Sequence, residues 1–222
     1  AAEPTAVFNE GSTTVLFIGT NSSIILSGST ATTERFWNLT IGDGSAKTTS
    51  IAPGTNRIEV GGTLTISASA SFRLNDSTLE INSNIDYSSF AANSIVEGTS
   101  TVEFKGNASV IPDEERFYNL HLWVNTTLGT GTDNPPVGTR TTTVINELRT
   151  KSGTFTHDGA TLLIQGSIFA DAGIFTTSAT PADDIVKFTG AGNGSLSALG
   201  QDITIGTLII DKTNATDVIS VT

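Results

Sequence analysis

The chain has 222 residues, a net charge of −11 and a pI near 4.4, enough length for one long all-β domain or two smaller ones. Its eleven Lys and Arg are scattered, which argues against nucleic acid as a partner, and its acidity disfavours anionic lipid headgroups. There is no Cys and no apolar run near the roughly 18 residues of a membrane span, so neither a disulfide framework nor membrane insertion is expected.

The opening Ala1-Ala2, without Met, suits a secreted chain after signal-peptide removal. Next comes a short β-prone segment, Thr5, Ala6, Val7 and Phe8, with no counterpart later in the chain. Thr14–Gly19 then reads TVLFIG, and Glu34–Leu39 reads ERFWNL. Beyond them Thr63–Ile66 and Thr78–Ile81 alternate polar and apolar residues, which is the period of a strand. The same series then returns. Thr101–Gly106 is TVEFKG, Glu115–Leu120 is ERFYNL, and Thr142–Ile168 matches Ile58–Ile85 at its apolar positions. A third pass begins with IVKFTG at Ile185–Gly190 and keeps only the apolar positions at Thr204–Ile209. The copies are offset by about 81 to 88 residues. They divide the chain into an N-terminal segment (1–14), a first unit (15–101), a second (102–185) and a partial third (186–222).

Within each unit short apolar pairs recur, most of them 18 to 24 residues apart. They predict inward rows containing Leu39, Ile41, Val60, Leu64, Leu79, Ile81, Val102, Phe104, Leu120, Leu122, Leu162, Ile164, Val186, Phe188, Leu208 and Ile210. That spacing is about one coil of a β-solenoid, in which each coil buries its inward residues by stacking on its neighbours. The expected fold is therefore all-β, a β-solenoid or β-helix-like repeat. Tandem β-sandwich domains completed by a donated strand are the alternative. The pattern F-x-N-L-x-I (Phe36–Ile41), V-x-G-x-L-x-I (Val60–Ile66) and T-V-x-F-x-G (Thr101–Gly106) resembles the repeats of secreted bacterial and archaeal surface proteins with adhesin-like β-solenoids. The resemblance implies an extracellular or cell-surface location and a structural role.

Seven N-x-S/T sequons begin at Asn21, Asn38, Asn75, Asn107, Asn125, Asn193 and Asn214. Composition alone would give roughly four, so the excess is modest, and glycosylation of several of these asparagines is an expectation. Alternation with Leu39 and Ile41 points Asn38 outward and places Trp37 in phase with the core. Glu34-Arg35 and Glu115-Arg116 read as solvated turns holding weak ion pairs. The acidic clusters Asp113-Glu114-Glu115 and Asp183-Asp184 lie in no calcium-binding motif, and His121 and His157 have no metal-ligand spacing. No G-x-S-x-G, H-E-x-x-H or P-loop is present. We therefore expect no enzyme and no cofactor.

Two functional readings follow. One is a structural subunit of an extracellular filament or pilus-like fibre, polymerising head-to-tail with copies of itself. Its strand pairing would use the chain ends, Thr5–Phe8 and the residues Val218, Ile219, Ser220 and Val221. The other is an adhesin or carbohydrate-binding segment of a larger surface protein, with surface glycans as partners.

Overall fold

The computed structural model describes residues 11–24, 33–53, 57–83, 85–86, 94–106, 109–111, 115–128, 141–158, 161–177 and 184–222. Among them there is no helix; short parallel strands stack as a β-solenoid. The first coil contributes β1 (Thr14–Phe17), β2 (Asn21–Ile24) and β3 (Thr33–Phe36), one strand to each of three faces. The next two coils repeat this with β4 (Asn38–Ile41), β5 (Lys47–Ile51), β6 (Arg57–Val60), β7 (Leu64–Ile66), β8 (Ala70–Arg73) and β9 (Thr78–Ile81). They are followed by β10 (Ile85–Asp86), β11 (Ile95–Val96) and β12 (Thr101–Phe104).

Beyond this point the chain passes through β13 (Ser109–Ile111), β14 (Arg116–Leu122), β15 (Thr126–Leu128), β16 (Thr141–Thr150) and β17 (Thr154–His157). The last stretch is β18 (Thr161–Ile164), β19 (Ser167–Ala170), β20 (Ile174–Thr177), β21 (Ile185–Phe188), β22 (Gly194–Ser197), β23 (Thr207–Ile210) and β24 (Ile219–Val221). The strands β14 and β16 are long because each bends across two faces. β16 pairs with β18 through Thr141–Val144 and with β19 through Glu147–Thr150. In β14 the register shifts between Phe117 and Asn119, at Tyr118.

The third face forms one unbroken parallel ladder: β3, β6, β9, β12, β14, β16, β19, β22, β24. Along strands such as β6, β12 and β21, inward residues are buried and their neighbours half-buried, the alternation that a pleated strand imposes. Fourteen of the sixteen residues expected inward are buried, Leu39 through Phe188. Leu208 and Ile210 depart from the expectation, at 43% and 58% exposed. They lie on β23, which among the described residues pairs only with β21, so no described strand covers them on the other side. Trp37 also departs, at 47% exposed. It stands at the corner between β3 and β4, and the alternation of one strand does not continue through a corner into the next.

The sequence period and the coil are out of step. Thr14–Phe17 is on the first face as β1, Thr101–Phe104 on the third as β12, and Ile185–Phe188 on the second as β21. Strand and turn codes are local, so a repeat can land on any face and still bury its apolar pair. The limits between the repeat units at 14/15, 101/102 and 185/186 accordingly fall inside β1, β12 and β21, and the stack continues through them.

Candidate functional site

Apolar pairs in β6, β9 and β12 each bracket a glutamate, as I-E-V, L-E-I and V-E-F. Because the third face stacks in register, Glu59, Glu80 and Glu103 form one row, continued by Arg35 on one side and by His121, Arg149 and Phe169 on the other. Rungs of a parallel sheet are about 4.8 Å apart, and like charges directly opposite each other are destabilising. The neighbouring positions supply the compensation. Arg57 bridges Glu80 and Glu103, reaching the latter at 2.7 Å, and Lys105 reaches the same two at 2.9 and 3.4 Å. Arg35 pairs with Glu59 at 2.7 Å, and Asn82 Nδ2 donates to Glu59 Oε1 at 3.2 Å.

His121 joins this acidic segment to a second one. Its Nε2 lies 2.6 Å from Glu147 Oε1 and its Nδ1 3.6 Å from Glu103 Oε1. Arg149 then contacts Glu147 at 3.0 Å and Asp171 at 3.2 Å, and Lys151 contacts Asp171 at 2.8 Å. Two aromatic rings flank the row, with Lys105 over Trp123 at 5.1 Å and Arg149 over Phe169 at 4.4 Å. The His121 hydrogen bond, with Lys105 and Arg57 beside it, holds the Glu103 carboxyl down at about 2 despite its partial burial. Burial alone would raise Glu147, but hydrogen bonds from Arg149 and His121 outweigh it and leave the carboxyl below its ordinary value. Each carboxylate of the network is met by a cation, so its charge is used to tie successive coils together.

The sequons occupy varied settings. Asn21 is exposed on β2. Asn38 is half-buried, its Oδ1 accepting the Thr63 N–H at 2.7 Å and its Nδ2 donating to Thr14 Oγ1 at 3.4 Å. Asn125 accepts the Thr154 N–H and Asn193 the Val218 N–H, both at 2.9 Å. These three asparagines thus do the same work, each holding a backbone amide of the following coil at a corner. Asn75 takes a left-handed φ of 57° and donates to the Ile51 carbonyl; Asn214 donates to Asp217 Oδ2 at 3.1 Å. Asn107, and the terminal segment Thr5, Ala6, Val7 and Phe8, lie outside the described residues, as do Asp113, Glu114 and Asp183.

Of the other residues singled out in the sequence, Glu115 departs most from expectation. It is 1% exposed, not solvated, and its carboxyl accepts the backbone N–H groups of Ser94 at 3.0 Å and Ile95 at 3.2 Å. Arg35 and Arg116 do form ion pairs, with Glu59 and Glu97 of adjacent coils. His157 and Asp184 are buried. Ile219, Ser220 and Val221 make up β24, which pairs with β22 through Gly194↔Ile219 and Leu196↔Val221, and Val218 leads into it, exposed. Among the described residues no group of three or more His, Asp and Glu is placed to hold a metal ion.

No family model, curated protein or solved structure matches this chain.

Proposed function

We propose that this protein is a structural subunit of an extracellular filament or surface fibre, extended head-to-tail by pairing of β-strands between copies. The observation that carries the reading is the edge formed by β23 and β24. In the middle of the stack inward side chains such as Val102, Phe104, Val186 and Phe188 are shut off from solvent, but here Leu208, Ile210 and Val221 are 43%, 58% and 73% exposed. Among the described residues these strands have partners on one side only. Such an edge combines unmade ladder hydrogen bonds with an apolar row, the two features that template strand addition. A second copy contributes the matching surface: its own first coil has the same three faces, with β2 and β3 at the opposite edge of the second and third. The resulting contact is heterologous and does not close on itself. Extracellular placement, and glycans on exposed asparagines such as Asn21, accompany this reading.

The test is light scattering and negative-stain microscopy of the 222-residue chain across a concentration series. The wild type is expected to form linear assemblies. The Ile210→Lys/Val221→Lys double variant is expected to keep its β-sheet circular dichroism and stay monomeric. A wild-type chain that remains monomeric at high concentration overturns the proposal.

A second reading, an adhesin or carbohydrate-binding segment, rests on one different observation. Trp37 and Trp123, 47% and 39% exposed, both stand just after a strand of the third face. Exposed indole faces suit stacking on sugar rings. A glycan array on which the wild type binds and Trp37→Ala/Trp123→Ala does not would favour this reading over the first.

A further inference from the structure

The corner that ends the third face carries one column of residues from coil to coil. Trp37 follows Phe36, the last residue of β3, and the same place on the next four coils is taken by Gly61, Asn82, Lys105 and Trp123. Main-chain bonds run along this column. The N–H of Gly61 donates to the Phe36 carbonyl at 2.8 Å and that of Asn82 to the Val60 carbonyl at 2.9 Å. Those of Lys105 and Trp123 donate in the same way to Ile81 at 2.8 Å and Phe104 at 2.9 Å. The ladder therefore sets the two indoles four rungs apart, or about 19 Å along the solenoid axis.

Each ring is seated by a neighbouring coil and remains open to solvent. A Cβ built on Gly61 falls 3.4 Å from Trp37 Cε3, and one built on Gly62 falls 3.2 Å from its Nε1. These atoms stand on opposite edges of the indole, so the ring lies across the glycine pair with one face toward it. Trp37 nevertheless keeps 47% of its surface exposed. Trp123 is seated by a cation. Lys105 Nζ stands 5.1 Å from its ring centroid and is itself held by Glu80 at 2.9 Å and Glu103 at 3.4 Å. Trp123 keeps 39% exposure. Between the two rings the column presents the bare backbone of Gly61, the Asn82 amide and the Lys105 ammonium.

We propose that this column is a binding strip for a neutral, linear polysaccharide of β-linked hexoses lying along the solenoid axis, with Trp37 and Trp123 as its two stacking platforms. The inference rests on the second reading above, that of a carbohydrate-binding segment, and specifies its ligand. The C–H face of a hexose is apolar and weakly positive, so it stacks on the negative face of an indole, while its hydroxyls take polar partners such as Asn82 and Lys105. An extended β-linked chain advances by about one rung per sugar, so one straight chain meets both rings. A flat apolar partner would instead need an unbroken apolar surface, which Asn82 and Lys105 interrupt. A polyanion is disfavoured: the Lys105 charge is already met by Glu80 and Glu103, and the whole chain carries −11. Because the ladder places both platforms in advance, a ligand long enough to bridge them gains the second contact at little further loss of freedom.

The test is titration of the full 222-residue chain with neutral trisaccharides and hexasaccharides of the cello, chito and β-manno series, read by acrylamide quenching of tryptophan fluorescence. Trp37 and Trp123 are the chain's two tryptophans, so the signal comes from the strip alone. At least one hexasaccharide is expected to shield both indoles and to bind about tenfold or more tighter than its trisaccharide. Trp37→Ala and Trp123→Ala each leave one indole as reporter, and each is expected to erase that length advantage while keeping trisaccharide binding at the ring that remains. Should a variant fail to fold, the length dependence and shielding of the wild type decide. Tighter binding of a hyaluronan hexasaccharide overturns the neutral ligand, and a length advantage that survives either variant overturns the paired platforms. If no hexasaccharide shields both indoles, the strip is overturned. Binding of other glycans on an array then leaves the carbohydrate reading standing, and an array with no binding overturns both.

Discussion

Replacing Gly166 with Ala tests how closely the coils stack. Gly166 stands at the corner between β18 and β19, directly over Asn146 of the coil beneath. A Cβ built there falls 1.9 Å from the Asn146 carbonyl oxygen and 2.7 Å from its carbon. An unstrained carbon contact is roughly 3.5 Å, so the two corners must separate by about 1.5 Å. The obstacle is backbone, which cannot swing aside like a side chain. Separation on that scale breaks the ladder bonds nearest the corner, where Glu147 stands opposite Ser167. An orphaned group costs about 1–3 kcal/mol and overpacking costs a similar amount, so the expected loss is about 3–5 kcal/mol. For a chain of this length that lowers Tm by about 6–20 °C in thermal circular dichroism. Gly192→Ala is the control. There φ is +89° and no atom lies within 4 Å of the added carbon, so only backbone strain of about 1–2 kcal/mol applies. The reasoning about stacking distance is refuted if Gly166→Ala melts no earlier than Gly192→Ala.

Replacing His121 with Ala removes the main group holding Glu103 near 2, so the Glu103 carboxyl is expected to titrate closer to its ordinary value. Its depressed value supports the fold above the ordinary carboxylate range and that support fades as pH falls toward 2, so acid unfolding of the variant should begin at higher pH. An unchanged Glu103 titration by carbon-13 NMR would contradict this. Truncating Asn125 to Ala leaves the Thr154 amide without its side-chain acceptor and is expected to cost about 1 kcal/mol in urea unfolding. The same change at exposed Asn21 is expected to leave the urea midpoint in place; equal losses at the two sites would show that the corner bonds contribute nothing specific.

The all-β class and the inward rows were legible because both are local properties. A residue such as Leu79 or Phe104 is apolar between polar neighbours, and strand geometry alone sends it to one side. The coil spacing was legible for a related reason, since each apolar pair must recur once per face. Asn38 was legible in part: alternation gave its side but not its partners, Thr63 and Thr14, which belong to neighbouring coils. The row of Glu59, Glu80 and Glu103 left a trace in sequence, one glutamate inside each of three apolar pairs, yet nothing local showed that the three share a face. Which face a strand occupies depends on the accumulated length of every turn before it, and so the three TVLFIG-like copies fall on three different faces. The position of Glu115 was least legible. Its sequence twin Glu34 is likewise followed by Arg-Phe, and only the stacking of the coils places the Glu115 carboxyl against the amides of Ser94 and Ile95. Sequence determined which residues turn inward, because pleating is decided within a few residues. Tertiary structure decided which side chains meet across coils, because stacking joins positions about 20 to 30 residues apart.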